Sequence, residues 1–163
     1  KDNSKLNCRI KGFSNYSPKR IILDNKLQTK INSYIIKTAN KDNTIIFYNQ
    51  ASKSKVLDFK KKKIQLIKSK INKQGKFDFK TILKKLYKCD CRNLLIEGGD
   101  VLTSHLLKNR IFNKFYLYKS PKNLSKETEY LKFNSLDVLK KNYKNKFNLN
   151  LFLGKDKITL YKN

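Results

Sequence analysis

The residues best placed to do chemistry lie in Asn93-Leu94-Leu95-Ile96-Glu97-Gly98-Gly99, where an apolar run meets an acid and two glycines and leads into Asp100. Such a run predicts a short buried strand, and the pattern after it predicts a helix. An acid at the carboxyl end of a strand is costly unless a ligand or partner meets it. Glycines beside it let a backbone approach a ligand closely, and the amides opening the next helix can receive a phosphate or pyrophosphate. Open α/β sheets bind anionic ligands in that position. The same Gly-Gly pair also suits a tight strand-to-helix turn that binds nothing. Few other residues compete for a chemical role. His105 is the sole histidine, and its place beside Leu106-Leu107 favours a packed or surface side chain over a general acid or base. Cys89 and Cys91 flank Asp90 as small loop or core residues, and no Ser/His/Asp or Cys/His arrangement suggests a covalent nucleophile.

Several elements must position that turn. Arg20-Ile21-Ile22-Leu23-Asp24 follows Ser17-Pro18, and Thr44-Ile45-Ile46-Phe47-Tyr48 follows Asp42-Asn43, so both read as buried strands entered from turns. Residues 56–60 predict a helical turn and residues 64–67 a third strand. Asp78 can cap a helix over 79–87, whose apolar positions Phe79, Ile82, Leu83, Leu86 and Tyr87 recur at spacings of three and four. With the run at 93–97 following, this order predicts a parallel pair joined by a right-handed crossover. A second helix is expected over 100–108, a strand over 114–118 and a weaker helix over 135–143. Strands at 149–153 and 157–161 around Gly154-Lys155-Asp156 predict a terminal hairpin. The predicted class is α/β, a mixed sheet with helices on its faces.

Composition limits the alternatives. At 163 residues the chain suits one domain. It has 3 cysteines and no Cys-x-x-Cys pair, so neither a disulfide framework nor a zinc site is indicated, and a reduced cytoplasmic setting is expected. No apolar run approaches a membrane span and no signal peptide opens the sequence. The formal charge of +27 invites a nucleic-acid reading. Against it, the arginines are Arg9, Arg20, Arg92 and Arg110 alone, and the lysines are spread over the whole chain apart from a run at Lys60 to Lys63. Lysine, asparagine and isoleucine share A/T-rich codons, so a biased genome explains the excess without a polyanion partner. A solvated lysine surface is the better reading, one that still attracts phosphorylated metabolites.

Four stretches in order resemble one family. They are Asp2-Asn3-Ser4-Lys5-Leu6-Asn7-Cys8-Arg9; Arg20-Ile21-Ile22-Leu23-Asp24; Leu94-Leu95-Ile96-Glu97-Gly98-Gly99 with Leu102 and Leu106-Leu107; and Phe115-Tyr116-Leu117-Tyr118-Lys119-Ser120-Pro121-Lys122. Together they resemble the reductase domain of the bifunctional riboflavin-biosynthesis deaminase/reductase. That resemblance implies a dihydrofolate-reductase-like α/β fold, a mostly parallel sheet flanked by helices with a C-terminal antiparallel hairpin. It implies NADPH-dependent reduction of 5-amino-6-(5-phosphoribosylamino)uracil to the ribitylamino product. Lys5, Arg9 and Glu97 then match substrate-binding positions, Lys5 through its backbone and Arg9 through a guanidinium suited to a phosphate. Asp2, Asn25 and the turn and helix start Gly99, Asp100, Val101, Leu102, Thr103, Ser104 and His105 match cofactor-binding positions. No metal is implied. The partner is a phosphorylated pyrimidine, with neither nucleic acid nor membrane expected, and a homodimer is compatible with the family.

The match has departures. Ser4 stands where the family usually has proline. The family's first strand, its substrate-covering loop and its first helix are expected upstream of Lys1, so the sequence reads as a single reductase domain incomplete at its N-terminus. The zinc deaminase domain is not within it. Two other readings stay open: a dihydrofolate-reductase-like enzyme acting on another pterin or pyrimidine, and a basic nucleic-acid-binding module.

Overall fold

The computed structural model describes residues 3–121, 135–150 and 154–163, which divide into two compact units, one from Lys1 to Asn93 and one from Leu94 to Asn163. The first unit is built on three parallel strands, β1 (Arg20–Leu23), β2 (Thr44–Tyr48) and β3 (Gln65–Lys68), in the order β1-β2-β3. Arg20 lies opposite Thr44, and Ile46 opposite Leu66. Parallel neighbours need crossovers, and each one here carries a helix. These are α1 (Tyr34–Lys37) between β1 and β2, and α2 (Lys53–Lys61) between β2 and β3.

Central strand β2 is buried on both faces, which explains its continuous apolar run. Its alternating side chains feed two separate clusters. Ile46 packs with Leu27, Ile35 and Ile36 of α1, Phe59 of α2 and Ile64. Ile45 and Phe47 pack with Ile82 and Leu86 of α3 (Phe79–Lys88). Helices α1 and α2 therefore share one face of the sheet, as two crossovers of the same hand require, and α3 covers the other. The spacing-of-three-and-four pattern of α3 resolves in detail. Phe79, Ile82 and Leu86 are buried, whereas Tyr87 is 62 % exposed.

The second unit holds α4 (Asp100–Lys108), β4 (Lys114–Lys119), α5 (Ser135–Asn142), β5 (Lys146–Leu149) and β6 (Lys157–Lys162). Its strands form an antiparallel sheet in the order β4-β6-β5. Leu107 of α4, Leu139 of α5, Tyr143 and Tyr161 make its core, joined by Phe112, Phe115 and Leu117. Tyr143 also donates its hydroxyl to the Leu107 carbonyl, tying the end of α5 to the end of α4. Burial pushes the Tyr143 pKa up, so the phenol stays a donor at neutral pH.

The α/β class, the parallel sheet with its helices and the C-terminal antiparallel pairing all agree with expectation. Three details do not. Residues 93–97, expected as a buried strand parallel to β3, belong to no ladder among the described residues, and Leu95 is 84 % exposed. Apolarity encodes a demand for burial but does not say which strand edge will meet it, and β3 pairs with β2. The strand expected at 149–153 is instead β5, Lys146–Leu149, because the ladder aligns Lys146 with Tyr161 and Leu149 with Ile158. Residues 151–153 lie outside the described residues. Helix α1 has no counterpart in the sequence reading, since a four-residue helix gives no periodicity to read.

Candidate functional site

In the first unit the carboxyl ends of all three strands fall on one edge, the usual ligand side of a parallel sheet. Hydrogen bonds knit that edge together. The Asp24 amide donates to the Phe47 carbonyl at 2.9 Å, and the Asn49 and Gln50 amides both donate to the Asn25 carbonyl, at 2.9 and 3.0 Å. The Ser69 amide donates to the Tyr48 carbonyl at 2.7 Å, and the Asn49 side chain donates to the Ser69 carbonyl at 3.0 Å. Asp24, the acid that follows β1, turns inward. Its carboxylate accepts from the Gln28 amide at 2.8 Å and from the Thr29 amide and hydroxyl at 2.7 Å, shaping the loop that buries Leu27.

Asn25, a sequence-predicted cofactor residue, sits on this edge with its side-chain oxygen buried and without a hydrogen-bond partner. Its amide reaches the Gly75 carbonyl at 3.5 Å, at the tip of the turn closed by the Ile71–Phe77 bridge. An orphaned acceptor carries a desolvation cost, and such atoms concentrate where a ligand or water completes the set. Two adjoining clefts open beside it. One, of about 470 Å³, is lined by Lys26, Gln50, Ser52 and Lys55; the other, of about 420 Å³, is lined by Tyr48, Val56, Leu57 and Lys68 among others.

Lys5 and Arg9 lie on the segment preceding β1, and both are exposed. This strap is fixed at three points. Asn3 accepts from the Tyr34 amide at 2.7 Å, Leu6 packs against the α1/α2 cluster, and the Cys8 amide donates to the Ser17 hydroxyl at 3.2 Å. The Lys5 ammonium lies 5.4 Å from the Tyr34 ring centre, so its side chain is partly committed to structure. Arg9 is different. It has no ion pair among the described residues, leaving its guanidinium free to receive an anion. Asn7, between them, also has a buried side-chain oxygen without a partner. Asp2 lies outside the described residues.

Arg20 has a structural role in this unit. It is buried, and its guanidinium donates to Thr38 Oγ1 at 2.7 Å, the Thr38 carbonyl at 2.8 Å, Asn43 Oδ1 at 3.0 Å and Thr44 Oγ1 at 2.8 Å. Burial lowers its pKa, because no carboxylate offsets the lost solvation.

The second unit carries the remaining predicted residues. Glu97 is exposed and makes no ion pair among the described residues. Gly98 is closely packed, whereas Gly99, the N-cap of α4, has nothing within 4 Å of where a Cβ would stand. The Thr103 amide donates to the Gly99 carbonyl at 3.1 Å, so the helix ladder begins there and the Val101 and Leu102 amides precede it. Gly99, Val101 and Leu102 thus form an accessible helix N-terminus suited to an anion.

The other side chains of this stretch are used internally. Asp100 accepts from the Ser135 amide at 2.9 Å and from the Ser135 and Ser104 hydroxyls, so its carboxylate anchors the start of α5. Thr103 is buried and donates to the Gly98 carbonyl at 3.3 Å. The His105 ring lies 3.4 Å from the Asn109 amide, an ordinary contact on a helix flank. The polar side chains of this stretch therefore serve the fold, and the turn offers a ligand its backbone amides and the exposed Val101 side chain. The structure groups Asn25 with Asn49 and Gln50 on one edge, and Glu97 with Gly99 and the α4 amides on one turn. Gln50, Ser52 and Lys55 line the cleft beside Asn25, and the sequence expectations did not single them out. Their signal was present, since Asn49-Gln50-Ala51-Ser52 is a polar stretch at the carboxyl end of a predicted strand, ending in a good helix N-cap.

Comparison with known proteins gives a consistent pattern. A family model described as the RibD C-terminal domain matches residues 1–146. A riboflavin biosynthesis protein RibD from Actinobacillus pleuropneumoniae is 28 % identical over 121 residues, covering 74 % of this chain and 31 % of that protein. Its namesake from Aquifex aeolicus is 28 % identical over 105 residues, covering 64 % of this chain and 28 % of its own length. Among solved structures, Acinetobacter baumannii RibD superposes with a TM-score of 0.67 at 17 % identity, over 99 % of this chain and 43 % of that one. A pyrimidine reductase-like protein from Corynebacterium diphtheriae gives 0.60 at 13 % identity, over 90 % of this chain and 61 % of its own. The chain thus spans under a third of the curated relatives it matches.

Proposed function

The chain belongs to the RibD C-terminal domain family, and from that premise we propose that it is a reductase domain of riboflavin biosynthesis using NADPH. Its substrate in this reading is 5-amino-6-(5-phosphoribosylamino)uracil, reduced to the ribitylamino product. The observation that carries the reading is the turn at residues 97–102. It presents an unpaired carboxylate, an open glycine and unladdered helix amides within a few residues, in a chain whose relatives are named for riboflavin biosynthesis.

NADPH, when bound, would supply the hydride for the sugar C1, whose bond to the ring oxygen opens as that oxygen takes a proton from water. The chain's own residues bind and align. The Gly99, Val101 and Leu102 amides hold cofactor phosphate at the start of α4, and the open space over Gly99 admits it. Asn25 fits the cofactor through its unpartnered buried oxygen, a hydrogen-bond acceptor that lacks a donor. Arg9 binds the substrate phosphate with paired hydrogen bonds, Lys5 contributes its backbone, and Glu97 accepts hydrogen bonds from the pyrimidine. With no covalent nucleophile required, acceleration comes from positioning.

The test uses full-length protein and follows NADPH oxidation dependent on the phosphoribosylamino pyrimidine. Exchanging Glu97→Gln removes a charged acceptor, so kcat/KM should fall by roughly ten- to a hundredfold, the value of a hydrogen bond to a charged group. A normal rate in that variant would remove Glu97 from the site. Native protein that oxidises NADPH with dihydrofolate and not with this pyrimidine would overturn the substrate.

A further inference from the structure

We infer that Cys89 and Cys91 form a redox-active thiol pair, which a small-molecule disulfide such as oxidised glutathione converts to an internal disulfide across the turn that ends α3. The inference is independent of the proposed reaction.

Backbone hydrogen bonds define that turn. The Asp90 amide donates to the Tyr87 carbonyl at 3.0 Å and the Cys91 amide reaches back to the Leu86 carbonyl at 3.0 Å. With Cys89 as the cap of α3, this is the Schellman closure, in which the residue after the cap takes the left-handed conformation. Asp90 takes it, at a φ of 62°. The spacing of the Cys89 and Cys91 Cα atoms is set by the conformation of the residue between them. Left-handed backbone mirrors helical geometry, which places Cα atoms two residues apart at about 5.4 Å. Disulfides span about 4.4–6.8 Å between Cα atoms. The fold therefore holds the two backbones at disulfide spacing.

The side chains converge as well. Both pack against the cluster of Ile45, Phe47, Ile82 and Leu86, and both are half-buried free thiols. The Cys91 thiol lies 3.8 Å from the carbonyl oxygen of Cys89, and the Gln65 side-chain amide meets the Cys89 sulfur at 3.9 Å. Arg92 braces the outer side of the turn. It pairs with Asp90 at 2.9 Å, and its guanidinium lies 4.1 Å from the Tyr87 ring centre. Among the described residues no three His, Cys, Asp or Glu side chains gather to hold a metal ion, so the pair lacks the ligands of a structural zinc site. Its chemistry is that of a dithiol. One thiolate attacks the glutathione disulfide and displaces a glutathione thiolate, and the other attacks the mixed disulfide and displaces the second. The protein loses two electrons and two protons, which leave on two molecules of reduced glutathione.

The full chain is equilibrated in glutathione buffers of rising oxidised-to-reduced ratio, quenched with iodoacetamide and digested with trypsin. Cleavage after lysine and arginine releases the pair as Cys89-Asp90-Cys91-Arg92 and the solitary Cys8 as Leu6-Asn7-Cys8-Arg9. The first peptide should appear unlabelled and two hydrogens lighter, whereas Cys8 should carry either the label or glutathione. The equilibrium constant for closure should be at least about tenfold larger in native protein than in urea, about 30 mV for a two-electron couple, because the fold supplies the left-handed turn. The same preference should appear as a higher melting temperature of the oxidised chain than of the reduced one. A pair peptide that stays doubly labelled or takes glutathione on both sulfurs, equal constants in native protein and urea, or an oxidised chain that melts no higher would each overturn the proposal. None of these readouts involves NADPH or the pyrimidine, so a failure of the proposed reaction leaves the thiol pair standing.

Discussion

A Cβ on Gly98 would lie 3.0 Å from Leu102 Cδ2 and 3.2 Å from Leu102 Cβ, whereas one on Gly99 would meet nothing within 4 Å. The neighbouring glycines therefore answer to different constraints. Gly98 lets the incoming chain lie against the first turn of α4. The Leu102 Cβ is fixed to the helix backbone and cannot rotate away, so a methyl there must push the turn or the helix. Gly99 has no packing reason to lack a side chain. As the N-cap of α4 it suits the helix start, and its bareness leaves the backbone open to a ligand. The two substitutions should separate cleanly. Gly98→Ala should destabilise by about 1–3 kcal/mol, the usual cost of overpacking. Gly99→Ala should cost under about 1 kcal/mol, as an alanine N-cap in place of glycine, yet raise the KM for NADPH. Thermal unfolding and cofactor titration of both variants give the check. If Gly99→Ala bound NADPH normally, the helix start would not be the phosphate site. The inward-turned carboxylates of Asp24 and Asp100 carry a related lesson. Sequence position at a strand or helix end says that an acid is positioned, but hydrogen-bond partners decide whether it serves a ligand or the fold.

Elements whose signal is local were the most legible. Helix α4 has the bounds expected from its sequence, and α3 begins where Asp78 was expected to cap it. That cap is charged. The Asp78 pKa is held below its ordinary value, first by the Thr81 hydroxyl at 2.6 Å and also by the Lys80 amide at 3.1 Å, against a smaller opposing effect of burial. A depressed carboxylate contributes stability that is present above its unfolded pKa and lost as pH falls through its folded pKa. Acid should therefore loosen the first turn of α3 before the rest of the helix. Amide shifts of Lys80 and Thr81, followed by NMR, should titrate with a midpoint below that of a free aspartate, and Asp78→Asn should flatten both curves. A midpoint at or above the free value would show the cap to be idle. Strand pairing was less legible because it is not local. Residues 93–97 have the composition of β2, and nothing within a segment names its ladder partner. The cleft beside α2 was hidden for the same reason, since Lys26 and Lys55, far apart in the sequence, line it together.

At the scale of the molecule, charge is the property that no local contact explains. The chain has 39 basic residues against 12 acidic ones. Among the described residues the carboxylates form few ion pairs, Asp58 with Lys61 at 4.0 Å and Asp90 with Arg92 at 2.9 Å, both largely exposed. Exposed pairs contribute about 0–1 kcal/mol each, so they cannot offset repulsion summed over a surface of net +27. That repulsion acts against the compact state, whose charges lie closer together than those of the unfolded chain. Salt weakens it by shortening the screening length, from about 30 Å at 0.01 M to about 10 Å at 0.1 M. Sodium chloride added across that range should therefore raise the unfolding temperature, the reverse of the outcome if ion pairs held the fold. It should also release any nucleic acid retained through lysine alone, since such binding falls steeply with salt. The lysine surface then serves solvation and long-range attraction of anions. A melting temperature that fell as chloride rose would mean that the charged surface is organised into stabilising networks, and the solvated-surface account would have to be abandoned.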